Sequence, residues 1–279
     1  MMPIKIKKAS GIIEDFSSQK LLDSLIRSGA ERDQAEEILE KIIPELSPYV
    51  STKKIYRLAH KYLRQFSRTS GLRYSLKRGL LRLGPSGYPF EKYFGEIMKN
   101  YGYHVDVGII MEGKCVKHEI DVFATNDSEV VSVECKYRND SENAPDVKIA
   151  LYVHARFQDL IPVMKDRYPG RTFSGWLVTN IRFTADAMQY AECMGLRMKS
   201  WRYPENNSLE KMIEDKKLYP VTVLTSLNSS QIRKLIDHQI ILMKELAQLE
   251  TKDIQRLLSL TEGKAAVLKQ QAKDLCFCD

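Results

Sequence analysis

The chain has 279 residues, 43% of them hydrophobic and 28% charged, an ordinary balance for a globular protein with room for two or three domains. No stretch approaches the ~18–20 apolar residues of a membrane helix, and the opening MMPIKIKKASG lacks the apolar core and cleavage site of a secretory signal. The net charge of +7 is uneven: residues 1–85 hold 17 Lys and Arg against 9 Asp and Glu, whereas 86–279 hold 26 against 27. A basic front third suits a polyanionic partner, nucleic acid or nucleotide phosphate, and equally suits a solvated helical surface. The five cysteines, at 115, 135, 193, 276 and 278, are odd in number and scattered. They point to reduced thiols and a cytoplasmic setting, and Cys276-Phe277-Cys278 lacks zinc-ligand spacing.

In chain order, 5–8 and 11–14 form a small strand-turn-strand about Ala9-Ser10-Gly11. Ser17 or Ser18 caps a helix that begins near Gln19, with Leu21, Leu22, Leu25 and Ile26 on its apolar face. A second helix covers 33–43, and Pro44 and Pro48 break the chain after it. Ser51-Thr52 caps a third, 53–66, and a fourth starts near Thr69 and carries RYSLKRGLLRLG.

The words KKASGIIEDFSSQKL, VSTKKIYRLAHKYL and LRYSLKR, in this order, resemble the ATP-cone, a small nucleotide-binding regulatory domain. The resemblance implies that Lys8 and Lys20 meet triphosphate oxygens of ATP or dATP while the backbone near Gly11 approaches the nucleotide. Ala9 and Ser10 stand where the family has Arg and Asp, which bears on affinity and base choice. A helical docking or dimerisation module without nucleotide is the plainer alternative.

After the break at Leu83-Gly84-Pro85-Ser86-Gly87 a helix starts at Pro89, with Phe90, Phe94, Ile97 and Met98 at helical spacing and Gly102 at its end. A strand at 104–110, a turn at Glu112-Gly113-Lys114 and a returning strand at 116–123 follow. The turn-like 125–129 joins that strand to VVSVECKYR, 130–138. Alternation puts Glu134 and Lys136 on one face and turns Cys135 into packing. The hairpin brings Asp121 beside them, with Glu119 on the same face and His118 pointing away. Two carboxylates can hold Mg²⁺, and a lysine can serve a water or neutralise a phosphate. A surface ion pair is the bland alternative for Glu134 and Lys136. A helix from Val147 to about Leu160 carries Tyr152, His154 and Arg156, for which ordinary helix surface is the favoured assignment. A buried strand at 176–179, a helix capped by Thr184 and a closing strand at 196–201 complete an α/β/α order.

Asp121, a turn, and Glu134-Cys135-Lys136 resemble the PD-(D/E)xK nuclease superfamily, and the flanks PFEKYFGEIMKNYGYHV and GWLVTNIRFTADAMQYAECMGLRMKSW narrow the likeness to Mrr-type restriction endonucleases. Ile120 stands where the family often has Pro or Gly. The resemblance implies Mg²⁺ (or Mn²⁺) held by Asp121, Glu134 and the Cys135 carbonyl. Lys136 then acts on the attacking water, and Glu91 assists from the first helix. A helix-terminal charge is the alternative for Glu91.

Beyond Tyr203-Pro204 the chain is expected to be helical at 209–213, from 228 to about 246, and in two further helices near 251–260 and 262–275. The last pair resembles a degenerate helix-hairpin-helix, with only Gly263 near its turn; packing or dimerisation is an equal alternative. The expected fold class is α/β. A regulatory segment at 1–84, a restriction-endonuclease-like core at 85–204 and a helical extension at 205–279 make up the chain. The expected function is an ATP- or dATP-responsive, Mg²⁺-dependent DNA endonuclease, cytoplasmic and homo-oligomeric. The alternatives are a non-catalytic DNA-binding scaffold and a repair or junction nuclease.

Overall fold

The structure, a computed structural model, describes residues 4–8, 11–140 and 143–277. Ala9, Ser10 and Cys278, which enter the sequence expectations, lie outside the described residues. The chain folds as two compact units, one of residues 1–76, 223–228 and 246–279, the other of 77–222 and 229–245. The expected third segment, 205–279, contributes to both.

In the first unit, β1 (Lys5–Lys7) and β2 (Ile13–Asp15) form the expected antiparallel pair. Ser17 caps α1 (Ser18–Arg27) by accepting from the Lys20 N–H at 3.2 Å. Gly29, at φ 91°, takes the left-handed turn after it. α2 (Arg32–Ile42) leads to β3 (Val50–Ser51), a two-residue strand parallel to β1 that periodicity does not predict. The sheet order is β2-β1-β3. Ser51 caps α3 (Thr52–Phe66), accepting from the Lys54 N–H. Leu25, Ala35, Ile38, Ile42, Ala59 and Leu63 are fully buried in the common core. α4 (Arg68–Tyr74) is shorter than expected: at Ser75, whose hydroxyl donates back to the Gly71 carbonyl, the chain leaves it for α5 (Leu76–Leu80).

The second unit is built on a five-stranded sheet of order β4-β5-β6-β7-β8. α6 (Tyr88–Asn100) precedes β4 (His104–Glu112), β5 (Lys117–Thr125) and β6 (Glu129–Lys136), an antiparallel meander. α7 (Val147–Arg167) then crosses over to β7 (Thr172–Thr179), parallel to β6. α8 (Ala185–Met194) leads to β8 (Arg197–Lys199), parallel to β7. Thr184 caps α8, and Gly195 at φ 69° ends it. Every residue of β6 but the last is buried, as a central strand covered on both faces must be.

α6 covers one face, where Phe90, Tyr93, Phe94, Ile97 and Met98 are fully buried and the Phe94 ring meets Trp176. α7 covers the other, packing Phe157, Leu160 and Met164 on Ile120, Phe123 and Val130. The result is the expected α/β/α layering. α7 runs past its expected end at Leu160, through Pro162, to Arg167.

α9 (Leu209–Asp215) joins the second unit: the Tyr101 hydroxyl donates to the Met212 carbonyl in this helix, and Tyr93 to the Leu218 carbonyl just beyond it. α10 (Ser229–Asp237) belongs there too, and the single helix expected from 228 to 246 is interrupted before α11 (Met243–Gln248). Pro220 bridges to Leu242 in that interruption. α12 (Thr251–Leu258) and α13 (Glu262–Phe277) pair in the first unit. Ser259, at φ 54°, makes the turn between them, and Gly263 falls inside α13.

Candidate active site

Asp121 and Glu134 come together where β5 and β6 part. The β5–β6 ladder runs from Thr125↔Val130 to Val122↔Val133 and stops. One step further, Asp121 swings its carboxylate across, and Oδ2 accepts the Cys135 N–H at 2.7 Å. Opposite residues of an antiparallel pair project to one face, so Asp121 and Glu134 share the α7 side. Lys136, two residues on, shares it as well and ion-pairs with Glu134. Cys135 is buried on the other side, as alternation predicts. In β4, Gly108 takes φ 67°, a backbone that side-chain-bearing residues seldom adopt, between the pairs Val107↔Val122 and Ile109↔Ile120 that flank Asp121.

Glu134 is only 5% exposed. It is neutralised from two sides, by Lys136 and by Arg156 of α7. Arg156 also donates to the Glu119 carbonyl at 2.9 Å and to the Tyr152 hydroxyl, and it lies over the Tyr152 ring at 4.7 Å. Its Nε is buried without a partner. Sequence spacing favoured ordinary helix surface for Arg156 and Tyr152; the structure places Arg156 on the site carboxylate and Tyr152 on Arg156. The available signal was the i,i+4 Tyr–Arg pair on a helix that crosses over from the acidic strand. His154 leaves the site: its ring bonds Tyr190 of α8 at 2.8 Å and Gln158 at 3.0 Å. His118, expected to point away from Asp121, also turns toward α7, where its ring bonds Asp159 at 2.8 Å.

Electrostatics define the pocket's need. Burial pushes the Asp121 carboxyl up to about 6, the Glu134 charge adds to this, and the Cys135 N–H opposes it. Glu91, in the first turn of α6, is raised to about 7 by burial and then by the charges of Asp121, Glu119 and Glu134. Glu91 therefore belongs to the same electrostatic cluster. Carboxylates held in mutual repulsion, with only oxygen donors at hand, suit a hard divalent cation. Among the described residues no three His, Cys, Asp or Glu side chains form a metal cage. The groups that could hold such a cation are the carboxylates of Asp121 and Glu134 with the Cys135 carbonyl.

Backbone locks hold the end of β6. The Thr179 hydroxyl donates to the Lys136 carbonyl at 2.7 Å. The fully buried Asn180 side chain accepts from the Arg138 N–H at 2.8 Å and donates to the Arg138 carbonyl at 2.6 Å. The Tyr137 hydroxyl donates to the Leu81 carbonyl and accepts from the Gly84 N–H, both at 2.9 Å.

In the first unit, Lys20 lines a cleft of about 200 Å³ with Glu14, Ser17, Ser24, Thr52, Tyr56 and Tyr74. Lys8 reaches its rim through an ion pair with Glu14 at 2.6 Å. Gly11, at φ 82°, closes the β1–β2 turn by donating to the Lys8 carbonyl, and it does not line the cleft.

This strand order and carboxylate pair define a nuclease-type fold, and residues 84–202 match the restriction endonuclease family Mrr_cat, of the PD-(D/E)xK superfamily. Residues 219–276 match the family described as AF1548-like, C-terminal. A protein of Archaeoglobus fulgidus, described as uncharacterized, is 36% identical over 128 residues, which cover 46% of this chain and 69% of that protein. The crystal structure of a protein of unknown function, AF1548, superposes with a TM-score of 0.56 at 28% identity, over 68% of this chain and 98% of that one. The chain belongs to the AF1548-like family, with a restriction-endonuclease domain at 84–202.

Proposed function

We propose that the chain is a DNA endonuclease that hydrolyses phosphodiester bonds with Mg²⁺ (or Mn²⁺), modulated by ATP or dATP at the first unit. The observation that carries the catalytic reading is the convergence of Asp121, Glu134 and Lys136 on one face at the parting of β5 and β6. When bound, the metal supplies Lewis acidity toward a water and a phosphate oxygen. Asp121, Glu134 and the Cys135 carbonyl would hold it. Lys136 orients the attacking water and offsets charge that builds on the phosphate. Glu91, which shares the charge cluster of Asp121 and Glu134, would assist from the first helix.

The regulatory reading rests on the first unit. A basic β-hairpin, a Ser-capped helix and Lys20 around a 200 Å³ cleft suit a nucleotide whose phosphates meet Lys8 and Lys20. The functional division is 1–84 for nucleotide, 85–204 for cleavage and 205–279 for support, in a cytoplasmic homo-oligomer. Among the described residues no helix is long and apolar enough to cross a membrane.

The test is incubation of the full chain with supercoiled and with methylated plasmid, with Mg²⁺ or EDTA, with and without ATP or dATP. Lys136→Ala should lose more than about a hundredfold in cleavage rate, as acid–base residues contribute ~10² to 10⁴. Near-normal cutting by that variant removes Lys136 from the reaction. Salt-sensitive DNA binding without cutting, in the wild type, supports a non-catalytic scaffold instead.

A further inference from the structure

The second unit holds a cleft of about 680 Å³ that the hydrolytic residues do not use. One wall is the break 81–86 and the first turns of α6, Tyr88, Pro89 and Lys92; the other is α10, with Ile232, Arg233, Ile236 and Asp237; Tyr137 and Asn139 form the floor. Its position is fixed by chain adjacency. Lys92 follows Glu91 and Tyr137 follows Lys136 in the chain, and the Glu91 carboxylate lies 3.1 Å from where a Cβ on Gly87, between the lining residues Ser86 and Tyr88, would stand.

The break is part of the wall because it is held there. Tyr137 grips both the Leu81 carbonyl and the Gly84 N–H. Gly84 stands so close to the Tyr137 ring that a Cβ there would lie 2.5 Å from it. Arg82 donates to the Thr222 carbonyl at 2.8 Å, tying the same stretch to the approach to α10.

The lining is chemically selective. It carries Arg82, Lys92 and Arg233 against a single acid, Asp237. Tyr88 is 51% exposed, and the Lys92 ammonium sits 4.7 Å from its ring centroid. A half-exposed aromatic ring with an ammonium over it and further cationic groups in the lining is an arrangement that can bind a single nucleic-acid strand, by stacking a base and holding its phosphates. A volume of this order matches pockets that enclose one small ligand.

We propose that this cleft receives an unpaired nucleotide next to the scissile phosphate, so that the preferred substrate is DNA with a single-stranded segment adjoining a duplex. The place beside the scissile phosphate rests on the nuclease reading; the binding preference stands apart from it.

The experiment uses the full chain in two arms. In EDTA, fluorescence anisotropy measures Glu134→Ala, alone and combined with Tyr88→Ala, Tyr88→Phe or Arg233→Ala, on a blunt duplex and on the same duplex with a single-stranded flap. The flap should bind at least tenfold more tightly than the duplex. Tyr88→Ala should remove about tenfold of flap affinity and leave the duplex unchanged. Tyr88→Phe should keep it, since stacking needs the ring and not the hydroxyl. Arg233→Ala should lower the slope of log affinity against log salt by about one for the flap alone. Both side chains are exposed, and matching thermal melts verify that the variants fold. Equal affinity for the two DNAs overturns the proposal, as does an equal loss on both from the two variants. In the second arm, Mg²⁺ is added to the wild type. A flap preference without cutting sinks the nuclease reading and leaves the cleft assignment standing. Cutting without a flap preference does the reverse.

Discussion

Two residues show how the site's charge is held in check. Asp121 is a carboxyl raised from its ordinary value to about 6 by burial and by Glu134. Between roughly pH 4 and 6 the folded form holds a proton that the unfolded form has released, so stability falls as pH rises through that window. Above it the cost is complete. Asp121→Asn removes the charge and keeps an oxygen for the Cys135 N–H. In EDTA at pH 8 this variant should be more stable than wild type, on the order of 1–2 kcal/mol after allowance for partial exposure. The gain should vanish by pH 4. Urea melts at the two pH values check it, and a loss of stability at pH 8 contradicts the assignment of strain. Arg156 acts in the opposite sense, since it competes with any cation for Glu134. Arg156→Gln leaves Glu134 with Lys136 alone. The Mg²⁺ concentration giving half of the maximal thermal shift should then fall about tenfold, equal to ~1.4 kcal/mol in binding. No shift in that midpoint would mean that Arg156 and the metal do not share Glu134.

Elements differ in what they owe to local sequence and what to distant partners. The alternation in VVSVECKYR made β6 and its Glu134/Lys136 face legible, and Ser17, Ser51 and Thr184 announced three helix starts through hydroxyls that cap amides within three residues. β3 was invisible because two residues carry no period; it exists through the pairing of Ile6 with Val50, forty-four positions apart. The interruption between α10 and α11 was hidden by apolar residues whose spacing runs on while Pro220 pairs with Leu242. Arg156 could be read as helix surface because its contact with Glu134 depends on where α7 lies over the sheet. The exit of β6 depends on Asn180 in the same way. Asn180→Ala strips the partners from both polar groups of Arg138, and buried unsatisfied groups cost ~1–3 kcal/mol each. The loss should be roughly 2–3 kcal/mol in urea unfolding, with a fall in any cleavage rate because the chain two residues beyond Lys136 loses its anchor at Arg138. Phe94→Ala is the packing counterpart. The side chain is fully buried against Trp176, and its truncation should cost about 3–5 kcal/mol in the same assay.

At the scale of the molecule, the question is whether a nucleotide on the first unit changes what the second does to DNA. A nucleotide shifts an equilibrium only through unequal affinity for its states. Such coupling is also reciprocal: if dATP changes DNA affinity by some factor, DNA changes dATP affinity by that same factor. Glu134→Ala allows the measurement without DNA turnover. Calorimetric titration of dATP into this variant, free and saturated with DNA, should give dissociation constants that differ by about fivefold or more. DNA titration with and without dATP should return the same ratio. Lys20→Ala, which removes the ammonium from the 200 Å³ cleft, should weaken dATP at least tenfold and abolish the effect of dATP on DNA. If dATP binds as tightly to Lys20→Ala as to the parent, the cleft of the first unit is not the nucleotide site. If it binds but the two ratios are unity, the first unit holds nucleotide without informing the nuclease. The basic excess of residues 1–85 then serves DNA directly, and charge reversal at Lys7 and Lys8 should lower the salt dependence of DNA binding where Lys20→Ala does not.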